Sequence, residues 1–169
     1  MYKIVVFDLD ETIGDFSSIS IFIDILEDLN INKLDDELFL KLLDLFDNVF
    51  RPNILNIFKY LHRHKKCREI MIYTNNNGPK SWTENIAKYI ETKINAKIFT
   101  KIIGAYKIAG KVIEDKRTSH NKTKDDLFNY IDVDKKNVKI CFIDDLYHPG
   151  MNKDDMFYIN IKPYKYIYN

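Results

Sequence analysis

The chain has 169 residues, 46% hydrophobic and 14% aromatic, with 26 Lys and Arg against 25 Asp and Glu for a formal net charge of +1. That length fits one domain, the apolar share can build a real core, and so many aromatics exclude a chain disordered over most of its length. The near balance of charge argues against a dedicated nucleic-acid binder, which carries a basic excess, while leaving room for a local basic patch.

Ile4-Val5-Val6-Phe7 is a continuous apolar run bounded by charge. It predicts a strand buried on both faces, as in a parallel sheet. Ser17-Ser18 caps a helix over 17–29, whose Ile19, Phe22, Ile23, Leu26 and Leu29 recur at helical spacing. Asn30-Ile31-Asn32 breaks that pattern, and the acidic run Asp35-Asp36-Glu37 opens a second helix with a stripe of Leu38, Leu42, Leu45, Phe46 and Val49. Pro52 starts a third helix, with Ile54, Leu55, Phe58 and Leu61 inward. Glu69 to Tyr73 is the second strand, followed by the loop residues Asn75-Asn76-Asn77-Gly78-Pro79. A helix is expected over 82–92, a strand over 98–106 and a hairpin between Gly104 and Ile113. Lys124 to Ile131 predicts a short helix. Val138 to Ile143 is a further central strand, and Met156 to Ile161 a last one. Strands alternating with helices predict an α/β fold with a mainly parallel sheet in one domain over 1–169. Residues 15–50 either form a small helical cap or cover one face of the sheet.

Two cysteines, Cys67 and Cys141, stand far apart with no CxxC pair. A disulfide framework or a zinc site is not expected, and a reduced cytoplasmic or nuclear setting is. No apolar stretch approaches a signal peptide or a membrane span, so no membrane partner is expected.

Three of the strands end in polar residues: Phe7-Asp8-Leu9-Asp10, Tyr73-Thr74-Asn75 and Ile143-Asp144-Asp145. Open α/β sheets bind ligands beyond the carboxyl ends of their strands, so these endings should meet in one cleft. Up to four carboxylates there would repel unless a cation neutralised them, and hard oxygen ligands favour Mg²⁺. A phosphoryl group would find metal, hydroxyl, amide and lysine donors in such a cleft.

Asp8-Leu9-Asp10-Glu11-Thr12 matches the DxDxT signature of the haloacid dehalogenase superfamily, and the chain resembles that superfamily at further points in order. Thr74 resembles its second motif, Lys124 its third-motif lysine, and Asp144-Asp145 its acidic fourth motif. Arg51-Pro52 before the second motif and Lys124-Asp125 followed by Leu127 are similar to the small phosphatases of the RNA polymerase II C-terminal-domain type. Thr74-Asn75-Asn76 and Asp144-Asp145-Leu146 stand where that group has Thr-Ala-Ser-like and DNS-type motifs.

The resemblance implies a HAD-like Rossmannoid three-layer fold and a Mg²⁺-dependent phosphatase. Asp8 would be the nucleophile, forming an aspartyl-phosphate, and Asp10 the general acid and base. Asp8, the Asp10 carbonyl, Asp144 and Asp145 would hold the metal. Thr12, Thr74, Asn75 and Lys124 would bind the phosphoryl group. Lys107, Lys111 and Lys122 lie near Lys124, which is singled out because it opens the helix before the Asp144 strand. The preferred partner is a phosphoserine or phosphothreonine protein. A small molecule, a nucleotide or a polynucleotide end is the alternative substrate, and a catalytically silent binding protein is the rival of another class. His62, His64 and His120 read as surface or loop residues, and His148 is a weaker candidate for the site.

Overall fold

The structure is a computed structural model that describes residues 1–29 and 35–166. The expected break at Asn30-Ile31-Asn32 lies outside the described residues. Five strands form one sheet in the order β3-β2-β1-β6-β7, every neighbouring pair parallel. They are β1 (Tyr2–Phe7), β2 (Glu69–Tyr73), β3 (Phe99–Ile103), β6 (Val138–Asp144) and β7 (Met156–Asn160). A separate two-stranded hairpin joins β4 (Lys107–Ile108) to β5 (Lys111–Val112).

Alternation along the strands divides the core into two layers. On one face Ile4, Val6, Met71, Tyr73, Ile140 and Phe142 pack with Leu127 of α5 (Lys124–Phe128), Ile131 and Met151. On the other, Phe7, Ile70 and Ile72 pack under α1 (Ser17–Asp28), α2 (Asp36–Leu45), α3 (Ile54–Arg63) and α4 (Lys80–Ile94). The result is the three-layer α/β arrangement with a parallel sheet that the alternation of strands and helices predicts. Segment 15–50 contributes Phe16, Ile19, Ile23, Phe39, Leu43 and Val49 to the same cluster as Phe7 and Ile72. These helices share the apolar cluster on this side of the sheet, with α2 packed against α4, and they border a cavity of about 290 Å³ between α1, α2 and the start of α4.

Element boundaries shift where the backbone demands it. The third helix starts at Ile54, because Asn53 ahead of it takes a left-handed conformation at φ 65°. The strand expected over 98–106 ends at Ile103. The chain then turns back through Ala109 and Gly110, both at positive φ, as a two-residue hairpin requires. The helix expected over 124–131 stops at Phe128.

The sheet's order places a topological switch between β1 and β6. From β1 the chain builds outward through β2 and β3, then crosses to β6 and β7 on the other side. Loops leaving β1 and β6 diverge there and open a crevice. The loop after β1 is held from behind. Ile13 N–H donates to Leu9 O at 2.9 Å, and a Cβ on Gly14 would come within 2.5 Å of Val49 O, so only glycine fits. Arg51 donates to Thr12 O at 2.7 Å and to Glu11 O at 2.6 Å, which gives Arg51-Pro52 its place beside the first motif.

Phe58 is fully buried, and its ring meets Phe7 at 4.9 Å and Phe99 at 5.3 Å. Phe58→Ala should cost about 3–5 kcal/mol of stability, read by urea unfolding. A loss below about 1 kcal/mol would mean that α3 does not seal this face.

Candidate active site

Asp8 follows β1, and Asp144 closes β6 beside it. Phe7 pairs with Ile143, and Asp8 N–H donates to Ile143 O at 2.9 Å, so the register sets the two carboxylates side by side. Thr74 and Asn75 follow β2 on the other flank of β1, where Thr74 N–H donates to Ile103 O at 2.9 Å. These endings enclose a cleft of about 210 Å³ lined by Asp8, Asp10, Thr74, Asn75, Asp144 and Asp145, together with Lys122 and His148.

Lys122 is the cation at its centre. Its Nζ donates to Asp8 Oδ1 and, at 2.6 Å, to Asp144 Oδ2, and its side chain is only 2% exposed. Burial pushes the Asp8 carboxyl up to about 7, against the pull of Lys122. Burial also acts to raise Asp144, but His148 and Lys122 outweigh it and hold that carboxyl below its ordinary range. Asp10 is raised by burial, opposed by Asn76. Asp145 is raised by burial, opposed by Thr12.

Three sequence expectations change here. Lys124 does not enter the cleft: its Nζ pairs with Asp155, and Lys122 takes the place next to Asp8. The reason is helix geometry. Thr123 is the N-cap of α5, its hydroxyl accepting from Asp126 N–H at 3.1 Å. Lys124 is thus the first helical residue, while Lys122 lies ahead of the cap and reaches the carboxylates. Thr12 does not face a ligand either. Its hydroxyl donates to Asp145 Oδ1 at 2.9 Å and accepts from Asp145 N–H at 3.0 Å, so it braces the fourth motif against the first. His148, the weaker candidate, does line the cleft. Its Nε2 lies 3.3 Å from Asp144 Oδ2.

Two partners were not singled out from sequence. Asn76 donates through Nδ2 to both oxygens of Asp10, at 3.2 and 2.9 Å, and its N–H donates to Thr74 Oγ1 at 3.0 Å. Asn76 thereby fixes the orientation of the Asp10 carboxylate. Arg117 supports Thr74 and Asn75 from beneath. Asn76 stood in a loop-forming run, and no spacing rule links residue 117 to residue 75. The signal for Lys122 was present in Thr123 and Asp126, which mark where the helix begins.

The donor set suits a hard divalent cation. Carboxylate oxygens of Asp8, Asp144 and Asp145 lie within 4.8 Å of one another, and with Glu11 paired to Lys165, the four aspartates around Lys122 leave negative charge in excess. All-oxygen ligands with space for water fit Mg²⁺. No described helix is long and apolar enough to cross a membrane.

No protein-family model matches the chain, and no curated protein matches it. Among solved structures it is similar to the HAD-hydrolase YfnB from Bacillus subtilis, in an orthorhombic crystal bound to magnesium. The two are 14% identical with a TM-score of 0.41, over 89% of this chain and 81% of that one. A likeness that slight carries no argument about family or chemistry.

Mg²⁺ at about a hundredfold over its dissociation constant should stabilise the protein by about 2.7 kcal/mol. Differential scanning fluorimetry should show this as a raised melting temperature, lost in Asp144→Asn. A wild-type melting temperature indifferent to Mg²⁺ would contradict the proposed metal centre.

Proposed function

We propose that the protein is a Mg²⁺-dependent phosphomonoester hydrolase of the haloacid dehalogenase type, acting on phosphoserine and phosphothreonine proteins through a phosphoryl group carried by Asp8. The observation that carries this reading is the buried Lys122 bridging Asp8 and Asp144, at the switch point of a parallel sheet and next to the Thr74-Asn75 loop. A surface turn of acidic residues would have no reason to bury a lysine against two of them.

In the first half-reaction, a carboxylate oxygen of Asp8 attacks phosphorus, and the bond from phosphorus to the leaving oxygen breaks. Asp10, raised by burial and held by Asn76, gives that oxygen its proton. In the second, the Asp10 carboxylate takes a proton from water as the water oxygen attacks phosphorus. The bond from phosphorus to Asp8 then breaks and releases phosphate. Lys122, the Thr74 hydroxyl and the Asn75 amide offset charge on the phosphoryl oxygens throughout. Mg²⁺, held by Asp8, Asp144, Asp145 and the Asp10 carbonyl, would let an anionic nucleophile approach an anionic phosphate.

The preference for a protein substrate is supported by the resemblance to C-terminal-domain phosphatases and by the rim of the cleft. Leu146 lines the cleft and is largely exposed, and Tyr147 beside it is exposed as well. Apolar side chains at an open mouth suit residues flanking a phosphorylated side chain.

The test is hydrolysis of p-nitrophenyl phosphate with Mg²⁺ or with EDTA. Turnover should require Mg²⁺, vanish in Asp8→Asn, and fall by about 10²–10³-fold in Lys122→Ala. Lys124→Ala should stay within about twofold of wild type, because its partner Asp155 lies outside the cleft. Activity unaffected by Asp8→Asn would overturn the nucleophile. Phosphopeptides turned over no better than nucleotides or phosphorylated polynucleotide ends would overturn the substrate class alone.

A further inference from the structure

Arg117 is 2% exposed, yet none of its nitrogens meets a carboxylate among the described residues. Its partners are neutral oxygens. Nη1 donates to Thr74 O at 3.2 Å and to Gly104 O at 2.6 Å. Nη2 donates to Asn75 Oδ1 at 2.8 Å and to His120 O at 3.1 Å. Nε has no partner among the described residues. The guanidinium carbon sits 4.8 Å from the centre of the Tyr73 ring, and Lys122 Nζ lies 5.8 Å from that same ring. Two buried cations thus lie against one aromatic ring. Lys122 has its carboxylates, and Arg117 has none among the described residues. An unpaired buried charge is costly, and a structure retains one where a counterion arrives later or where its donors hold something in place.

Asn75 is what those donors hold. A guanidinium only donates, so its contact must be with the side-chain oxygen of Asn75. The amide is therefore fixed with Oδ1 toward Arg117. Nδ2 is the corner of the amide that Arg117 leaves free, and Asn75 lines the cleft with Asp8 and Asp10. The same guanidinium ties the ends of β2 and β3 together through Thr74 O and Gly104 O. Through His120 O it anchors the segment that leads to Lys122.

We infer that Arg117 is a positioning residue for the phosphoryl group: it locks the Asn75 amide with its NH₂ toward the cleft and places a buried positive charge behind the Thr74-Asn75 loop, which a bound phosphate completes. This rests on the phosphoryl-binding reading of the same cleft. Arg117 touches neither substrate nor metal. Its effect passes through Asn75 and through the field beneath the loop. Lysine cannot replace it, because a single ammonium cannot span the four oxygens that the planar fork reaches.

The test is calorimetric binding of inorganic phosphate in the presence of Mg²⁺, by wild type, Arg117→Lys, Asn75→Ala and the double variant. Each single change should weaken phosphate binding about tenfold, the worth of about one hydrogen bond. The double variant should be no weaker than the worse single, since both remove one coupled element. Additive loss, about a hundredfold in the double variant, would overturn the inference. So would an Arg117→Lys protein that melts lower yet binds phosphate as wild type does, the result for a purely structural arginine.

Asn75→Asp gives a second arm that does not depend on Arg117→Lys folding. It offers the guanidinium a counterion and replaces the amide donor with an acceptor. Melting temperature should rise while phosphate binding is lost. Retained phosphate binding, or no gain in melting temperature, would overturn the inference. Wild-type protein that binds no phosphate would instead remove the phosphoryl reading itself, and this inference with it.

Discussion

Lys122, held between Asp8 and Asp144, is the contact on which the rest of the site depends. Three charged side chains are buried at the end of two adjacent strands, and each alone would be costly there. Removing one partner of such a cluster leaves an uncompensated charge, at a cost of about 3–5 kcal/mol. The cluster in turn dictates what surrounds it. Asp145 is turned onto Thr12, Asp10 onto Asn76, and Leu146 N–H donates to Asp144 Oδ1 at 2.8 Å. Every carboxylate in the cleft therefore has a donor that sets its direction, and each receives a different environment. That difference lets chemically identical groups take different roles. The carboxyl of Asp10 is raised and can hold a proton, whereas that of Asp144 is kept charged and can hold a cation.

The sheet makes this arrangement possible without strain in the strands themselves. β1 and β6 are central, parallel and in register, so their last residues emerge side by side. Val6, Phe142 and Tyr73 of one core layer are fully buried in the strands that end at the carboxylates and Thr74. A buried, largely apolar floor keeps the dielectric low, which strengthens each contact above it. The loop from β6 is packed closely on the lysine segment. A Cβ on Gly150 would come within 2.8 Å of Lys122 O, and Lys124 N–H donates to Gly150 O at 3.0 Å. That contact fixes the backbone from which Lys122 reaches inward. The tail closes the other side: Tyr164 N–H donates to Glu11 O at 2.8 Å and Tyr166 N–H to Asp15 Oδ2 at 3.1 Å.

Much of this was legible in the sequence, for physical reasons that differ by element. Ile4 to Phe7 and, apart from Lys139, Val138 to Ile143 read as buried strands because a sheet covered on both faces favours near-continuous apolar runs. The carboxylates after them followed, since strand ends face the crevice. Lys122 was not legible by the same logic. Its place was set by one capping residue, Thr123, and a shift of two residues moves a lysine from the exterior to the centre of the site. Thr12 lies in the matching motif but serves Asp145, because a hydroxyl that both donates and accepts is satisfied by one neighbour. Asn76 and Arg117 gain their roles only when segments far apart in sequence meet. No periodicity could have announced them.

The central claim is that Asp8 carries the phosphoryl group, and trapping that bond tests it most directly. An aspartyl-phosphate is reduced by borohydride to homoserine, which peptide mass spectrometry can place in the sequence. Protein turning over p-nitrophenyl phosphate with Mg²⁺ and quenched into borohydride should yield homoserine at position 8 and at no other aspartate. Homoserine at Asp10 or Asp144, or an unmodified Asp8 under steady turnover, would contradict the claim.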